Sequence, residues 1–273
     1  MRRTWWKEAV VYQVYPRSFQ DSNGDGIGDL KGIQRRLDYL QTLGVDVLWL
    51  CPIYPSPNVD NGYDVSDYTD VHPEFGSLAD FDELLARAHD RGLKVVLDLV
   101  VNHTSDQHPW FRQARTSRDN PYRDYYLWSE QPNDWPSIFG GSAWEPNPAT
   151  GDYYLHLFAP QQPDLNWENP HVRREVYDFM RFWLDRGVNG FRLDVITFLS
   201  KKPGYPPLEG PLNEFYANGP RIHDYLQEMH REVLSRYDAM TVGEAPGVPP
   251  YLAPLYVGED RGELSMIFHF DHT

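Results

Sequence analysis

Short apolar runs alternate along the chain with segments whose apolar residues recur every three or four positions. Residues 9–15 are rich in Val and Tyr, which predicts a strand. Leu30, Ile33, Leu37 and Leu40 then fall on one helical face, and Gly44 ends that helix. Residues 45–50 are a continuous apolar run and predict a buried strand. Ser77 suits an N-cap, with Asp80 three positions on in a capping-box arrangement. Behind it Leu78, Phe81, Leu84, Leu85 and Ala88 line one face, and Gly92 closes the helix. Residues 93–101 are apolar again, interrupted by Asp98. Further on, Pro170 suits a first helical turn; Val172, Val176, Phe179, Met180 and Trp183 make the apolar face, and Gly187 ends it. Residues 188–193 predict a fourth strand, 221–237 a helix, 240–242 a fifth strand and 264–270 a sixth.

This alternation predicts an α/β fold in which parallel strands are joined by helical crossovers. A closed (β/α)8 barrel of the TIM type takes eight strands. The pattern predicts such a barrel, truncated after about six. Residues 104–166 break the rhythm: they are rich in Trp, Tyr, Pro, Asn and Gly and hold no sustained helical period. So long a stretch exceeds an ordinary loop and predicts a small inserted subdomain after the third strand. The chain thus divides into a first part of the barrel at 1–103, the insert at 104–166 and the continued, incomplete barrel at 167–273.

Composition narrows the function. Among 273 residues, 41% are hydrophobic and 15% aromatic, enough for a packed core. The formal charge of −15 argues against a nucleic-acid partner, because phosphate neutralisation needs Lys and Arg. The single cysteine, Cys51, excludes an internal disulfide and follows an apolar run, as a buried packing residue does. Lys7, Glu8 and Gln13 interrupt the N-terminal apolar residues, which therefore make neither a signal peptide nor a membrane span. A soluble, cytoplasmic protein with no membrane partner is expected.

Candidate chemistry gathers at strand ends, where α/β barrels carry their active sites. Asp98, Asn102 and His103 close the third strand, Arg192 and Asp194 the fourth, Glu244 the fifth. Burying so many ionisable groups is costly unless they are paired or functional. A structural ion-pair network around Arg192 is the competing reading. Retaining glycosidases need one carboxylate to attack the anomeric carbon and one carboxylic acid to protonate the leaving oxygen. Asp194 and Glu244 on adjacent strands could supply both. Arg192 points the same way as Asp194 and is expected to hold it ionised, whereas an acid role for Glu244 calls for a raised pKa.

The segments Asp98-Leu-Val-Val-Asn-His103, Gly190-Phe-Arg-Leu-Asp194 and Gly243-Glu244 resemble the ordered signatures of the α-amylase superfamily, glycoside hydrolase family 13. Gln162-Pro-Asp-Leu-Asn166 is similar to a further signature of its oligo-1,6-glucosidase and α-glucosidase branch, and Val11-Tyr-Gln-Val-Tyr-Pro-Arg-Ser-Phe19 is also typical. The resemblance implies that Asp194 is the nucleophile and Glu244 the acid/base. It implies that His103 and Arg192 contact the transferred glucose, that Asp60 and Tyr63 close a blind pocket, and that Phe158 and Gln162 line it. Asp98 is expected to orient Arg192. Val195, after the nucleophile, sits where Val accompanies α-1,6 preference in the resembling enzymes. The family's Asn-His-Asp segment, with a third carboxylate after the seventh strand, has no counterpart before the terminal Phe270-Asp-His-Thr273. The chain therefore resembles an N-terminal fragment, expected to be inactive alone and to associate with the missing C-terminal part of the same enzyme.

Asp21-Ser-Asn-Gly-Asp-Gly-Ile-Gly-Asp29 places oxygen side chains at alternate positions, like the first half of a calcium loop, but Gly32 stands where an EF-hand has its bidentate Glu. The glucosidase resemblance implies a structural Ca²⁺, with Mg²⁺ as alternative, on Asp21, Asn23, Asp25, the Ile27 carbonyl and Asp29. Three functional readings stand: an α-glucosidase releasing glucose from short oligosaccharides, a transglycosylating relative such as a sucrose or trehalose isomerase, and a non-catalytic homologue.

Overall fold

The computed structural model describes residues 4–211, 213–268 and 270. In chain order its strands are β1 (Val11–Val14), β2 (Val47–Leu50), β3 (Lys94–Leu99), β4 (Trp128–Ser129), β5 (Trp144–Asn147), β6 (Asp152–Leu155), β7 (Gly190–Leu193), β8 (Met240–Glu244) and β9 (Met266–Phe268). Six of them form one curled sheet in the order β1-β2-β3-β7-β8-β9, every neighbouring pair parallel. That is the truncated barrel the apolar pattern predicts. The last expected strand forms as β9; His269 of its predicted range lies outside the described residues, as do the last three residues of the terminal segment.

Side-chain alternation divides the sheet between two cores. Leu48, Leu50, Val95, Leu97, Leu99, Phe191 and Leu193 face outward into the main core, which the crossover helices cover. Val47, Val96, Met240 and Val242 face inward and form a separate floor, against which Trp5, Trp6 and Met266 pack. Strands buried on both faces must be apolar at both parities, which is why they read as continuous runs. Along β3 and β7, the next inward positions above this floor are Asp98 and Arg192.

The helix Leu78–His89 starts with the expected capping box: Asp80 N–H donates to Ser77 Oγ at 3.3 Å and Ser77 N–H donates to Asp80 Oδ2 at 2.9 Å. The helix predicted over Leu30, Ile33, Leu37 and Leu40 is instead two, Leu30–Arg35 and Leu37–Thr42. Arg36 between them takes φ −105° and ψ 1°, a tightened turn closed by its N–H on the Ile33 carbonyl. All four apolar residues are fully buried across this break, so core burial rather than helical continuity sets their placement.

Between β3 and β7, the insert adds an antiparallel sheet ordered β4-β6-β5 and a helix, Pro109–Ala114, too short to show a period in sequence. Trp135, Trp144, Leu155 and Leu157 of the insert share an apolar cluster with Val195, Phe198 and Phe215, fastening it over the end of β7. No helix among the described residues is long and apolar enough to cross a membrane.

Gly190 opens β7 with φ +146°, and a Cβ there would sit 1.9 Å from the Met240 carbonyl oxygen on β8. No side chain fits without parting the two strands that carry Arg192 and Glu244. Gly190→Ala is expected to prevent accumulation of folded protein, measured as loss of the cooperative melt and rapid proteolysis. A variant that melts cooperatively within a few degrees of the parent would show that this contact does not constrain the fold.

Candidate active site

Parallel register sets Asp98 of β3 directly beside Arg192 of β7, and Arg192 beside Val242 of β8. Two residues beyond Val242, Glu244 ends β8; two residues beyond Arg192, Asp194 follows β7. The period of two therefore aims four ionisable side chains at one place. Arg192 Nη1 donates to Asp98 Oδ1 at 2.5 Å and to Asp194 Oδ1 at 2.6 Å, while Nη2 donates to Glu244 Oε2 at 2.5 Å. Asp98 is fully buried, Arg192 and Asp194 almost so, and Glu244 is partly open to solvent.

Three carboxylates thus share one guanidinium. Burial drives Asp98 up to about 6, against the pull of Arg192 and of the Trp49 hydrogen bond. Burial also raises Asp194 well above the usual carboxylate range, and the nearby charges of Glu244 and Asp98 add to it. This corrects one expectation: Arg192 does favour ionised Asp194, but desolvation outweighs it. One cation faces three carboxylates, so desolvation and mutual repulsion favour the protonated forms of Asp98 and Asp194.

Beside the charged cluster stands a polar wall. Gln162 Nε2 donates to Asp60 Oδ2 at 3.0 Å and lies 3.1 Å from His103 Nε2. His103 sits 3.0 Å from the Tyr63 carbonyl through Nε2 and 3.2 Å from Asn102 Nδ2 through Nδ1. The tautomer with hydrogen on Nε2 satisfies both contacts. Burial lowers the His103 pKa, favouring this neutral form, and raises that of the half-buried Asp60. The Phe158 ring lies 5.1 Å from His103, and the Tyr63 ring lies 5.6 Å from the Arg192 guanidinium. Asp60, Tyr63, His103, Phe158 and Gln162 are therefore gathered at one end of the carboxylate cluster. Cys51 is buried, and desolvation raises its thiol to about 11, as befits a packing residue.

Val195 has φ +35° and ψ 45°, a left-handed conformation that β-branched residues rarely adopt. Its N–H donates to Glu244 Oε2 at 3.2 Å, so the turn after Asp194 reaches the second carboxylate. Its side chain belongs to the cluster shared with the insert.

Sequence reasoning missed two parts of this site. Lys201 is buried and donates to Asp164 Oδ2 at 2.9 Å, Asn102 Oδ1 at 3.1 Å and the Phe198 carbonyl at 2.8 Å. It ties the turn after β7 to the insert and to the neighbour of His103. Its only signal was the Lys201-Lys202 pair shortly after the apolar stretch 195–199. Trp49 lies inside the apolar run 45–50, where nothing in the pattern singles it out; its Nε1–H donates to Asp98 Oδ2 at 2.8 Å.

The 21–29 loop offers only oxygen donors, a set suited to a hard cation. Its carboxylates are turned onto the loop's own groups: Asp21 accepts from the amides of Asn23, Gly24 and Gly26, Asp25 from Ile27, and Asp29 from Ser22 and Gly32. The amides of Gly24 and Gly26 lower the Asp21 pKa and favour its charged form. Among the described residues no three His, Cys, Asp or Glu side chains converge as a metal site. A cavity of about 1090 Å³ opens at Trp6, Lys7, Thr241 and Glu259, beside the floor and away from the carboxylates, so chemistry rather than volume marks the site.

The family model for the alpha-amylase catalytic domain matches residues 13–273. An oligo-1,6-glucosidase of Parageobacillus thermoglucosidasius is 61% identical over 284 residues, covering 100% of this chain and 50% of the relative. The solved trehalose-6-phosphate hydrolase of Bacillus licheniformis superposes with a TM-score of 0.97 at 50% identity, over 99% of this chain and 50% of its own. The trehalulose synthase of Pseudomonas mesoacidophila gives 0.95 at 54% identity, over 98% and 50%. The chain spans about half the length of the relatives it matches. With the buried Asp98–Arg192–Asp194–Glu244 cluster at its strand ends and the family model matching nearly its whole length, the chain belongs to the alpha-amylase family, as part of its catalytic domain.

Proposed function

We propose that the protein is a retaining glycoside hydrolase that releases α-glucose from the ends of short α-glucosides, by preference α-1,6-linked. The observation that carries this reading is the pair Asp194 and Glu244, held by the two terminal nitrogens of one guanidinium. In this reading Asp194 attacks the anomeric carbon while Glu244 protonates the leaving oxygen, giving a glucosyl ester on Asp194. Glu244 then takes a proton from the water that attacks the anomeric carbon, which frees the Asp194 carboxylate and returns Glu244 to its acid form. Asp98 orients Arg192, and His103, Gln162, Asp60 and Tyr63 bind the sugar hydroxyls in a pocket walled by Phe158. The printed names of similar proteins, oligo-1,6-glucosidase among them, support the substrate class.

A second reading replaces water by a sugar hydroxyl in the second step, giving an isomerised disaccharide; the likeness to a trehalulose synthase favours it. We assign 1–103 and 167–273 to the barrel and 104–166 to the insert that walls the pocket. The open edges β1 and β9 take up the rest of the full-length protein, and the enzyme works in the cytoplasm. Asp21, Asn23, Asp25, the Ile27 carbonyl and Asp29 would hold Ca²⁺ or Mg²⁺, stiffening the segment after β1 and taking no part in catalysis.

In the full-length enzyme, Asp194→Asn is expected to lower kcat by about three to five powers of ten. Near-parental turnover in the variant would remove Asp194 from the nucleophile role. Chelation by EDTA is expected to lower the melting temperature, and added Ca²⁺ to restore it, because a ligand bound only to the native state stabilises that state. An unchanged melting curve would reject the metal. For linkage, kcat/KM is expected to favour isomaltose over maltose, with Val195→Thr moving the ratio towards maltose by about tenfold. Val and Thr are nearly isosteric, so the hydroxyl is the variable. A parental preference for maltose, or an unmoved ratio, would break the linkage assignment and leave the hydrolase reading standing.

A further inference from the structure

We propose that Trp49 is a positioning residue for the reaction, fixing the Asp98–Arg192 pair from inside the barrel; this rests on the glucosidase reading of the site. Trp49 occupies the inward parity of β2, two positions after Val47 of the floor. Its indole makes two different contacts at once. The ring face lies 5.3 Å from the Arg192 guanidinium, within cation–π range. Its Nε1–H donates to Asp98 Oδ2, the oxygen that Arg192 leaves free, since Arg192 binds Oδ1. Asp98 is thereby held at both oxygens by neighbours on each side.

Two rings flank the guanidinium, Trp49 at 5.3 Å and Tyr63 at 5.6 Å. The hydrogen bonds of Arg192 run to Asp98, Asp194 and Glu244, and the guanidinium also sits over both ring faces, which limits its displacement. The Phe268 ring of β9 in turn lies 5.7 Å from Trp49, so the sixth strand of the sheet bears on the indole. Tyr63 makes the same pair of contacts at longer range, its hydroxyl donating to Asp98 Oδ2 at 3.4 Å and its ring lying 5.6 Å from the guanidinium, so the shorter indole bond at 2.8 Å is the closer hold on Asp98.

Asp98 is faced by Arg192, Asp194 and Glu244 from β7 and β8, and by Cys51, Tyr54 and Tyr63 from the segment after β2. Only Arg192 in that set is cationic. Losing the indole N–H removes a bond that favours the ionised form, so Asp98 keeps its proton to higher pH and releases Arg192.

The test compares Trp49→Phe, which keeps a ring and loses the donor, with Trp49→Leu, which loses both, in the full-length protein. Per active site titrated, kcat on isomaltose is expected to fall about tenfold in Trp49→Phe and about a hundredfold in Trp49→Leu. KM should change much less. The acidic limb of kcat/KM should move to higher pH by roughly half a unit in Trp49→Phe. A structural role alone lowers the active fraction without moving that limb. The melting temperature gives a reading independent of activity. A carboxylate with raised pKa contributes stability that is full below its unfolded value and is lost as pH rises through about 6. In Trp49→Phe that loss should run on to higher pH than in the parent. Parallel melting profiles from pH 4 to 8, or an unmoved acidic limb, would overturn the proposal. A parental enzyme with no activity on any α-glucoside would overturn the glucosidase reading instead, and the melting profiles would still decide whether Trp49 governs Asp98.

Discussion

The Arg192 guanidinium is the interaction on which the site depends. Among the described residues it is the one cation bound to all three carboxylates, two of them buried, and each of them comes from a different strand or strand end. Without it Asp98, Asp194 and Glu244 would repel one another in a low-dielectric interior, and removing one partner from such a group is far more costly than the pair's net worth. With it, their number still exceeds the charge available, and the pKa values of Asp98 and Asp194 stay raised.

The geometry that makes the cluster arises from alternation in parallel strands. One parity of β2, β3, β7 and β8 supplies leucines and valines to the helix-covered core; the other supplies a valine and methionine floor with charges above it. A slip of one residue in any strand would exchange these sets and bury Arg192 among leucines. The close backbone approach at Gly190, with its φ of +146°, guards the register between β7 and β8 where Arg192 and Glu244 must meet. Behind Asp194, the strained turn at Val195 and the buried Lys201–Asp164 pair fasten the insert, and so link the polar wall to the carboxylates.

Much of this was legible in the chain. Strand ends bearing Asp98, Arg192, Asp194 and Glu244 follow from apolar runs that stop at charged residues, and the Ser77 capping box from two side chains at fixed spacing. The break at Arg36 was not, because helical periodicity is blind to a tightened turn that leaves Leu37 and Leu40 buried. Nor were β4, β5 and β6, whose short strands mix Trp, Tyr and Asn without alternation. Trp49 and Lys201 escaped because the partners that matter, Asp98 and Asp164, lie 49 and 37 residues away in the chain. The charge state of Asp194 escaped for a different reason: spacing reveals the favourable neighbour Arg192, whereas desolvation exists only once the fold has closed around the carboxyl.

The central claim is that this cluster forms a covalent bond to glucose through Asp194. Incubating the full-length protein with a fluorinated α-glucosyl fluoride, which slows hydrolysis of the ester more than its formation, and mapping the adduct by peptide mass spectrometry tests it directly. The account predicts one hexosyl adduct per chain, on Asp194, and none in the Asp194→Asn variant. An adduct on any other residue, or steady turnover with no adduct, would contradict it.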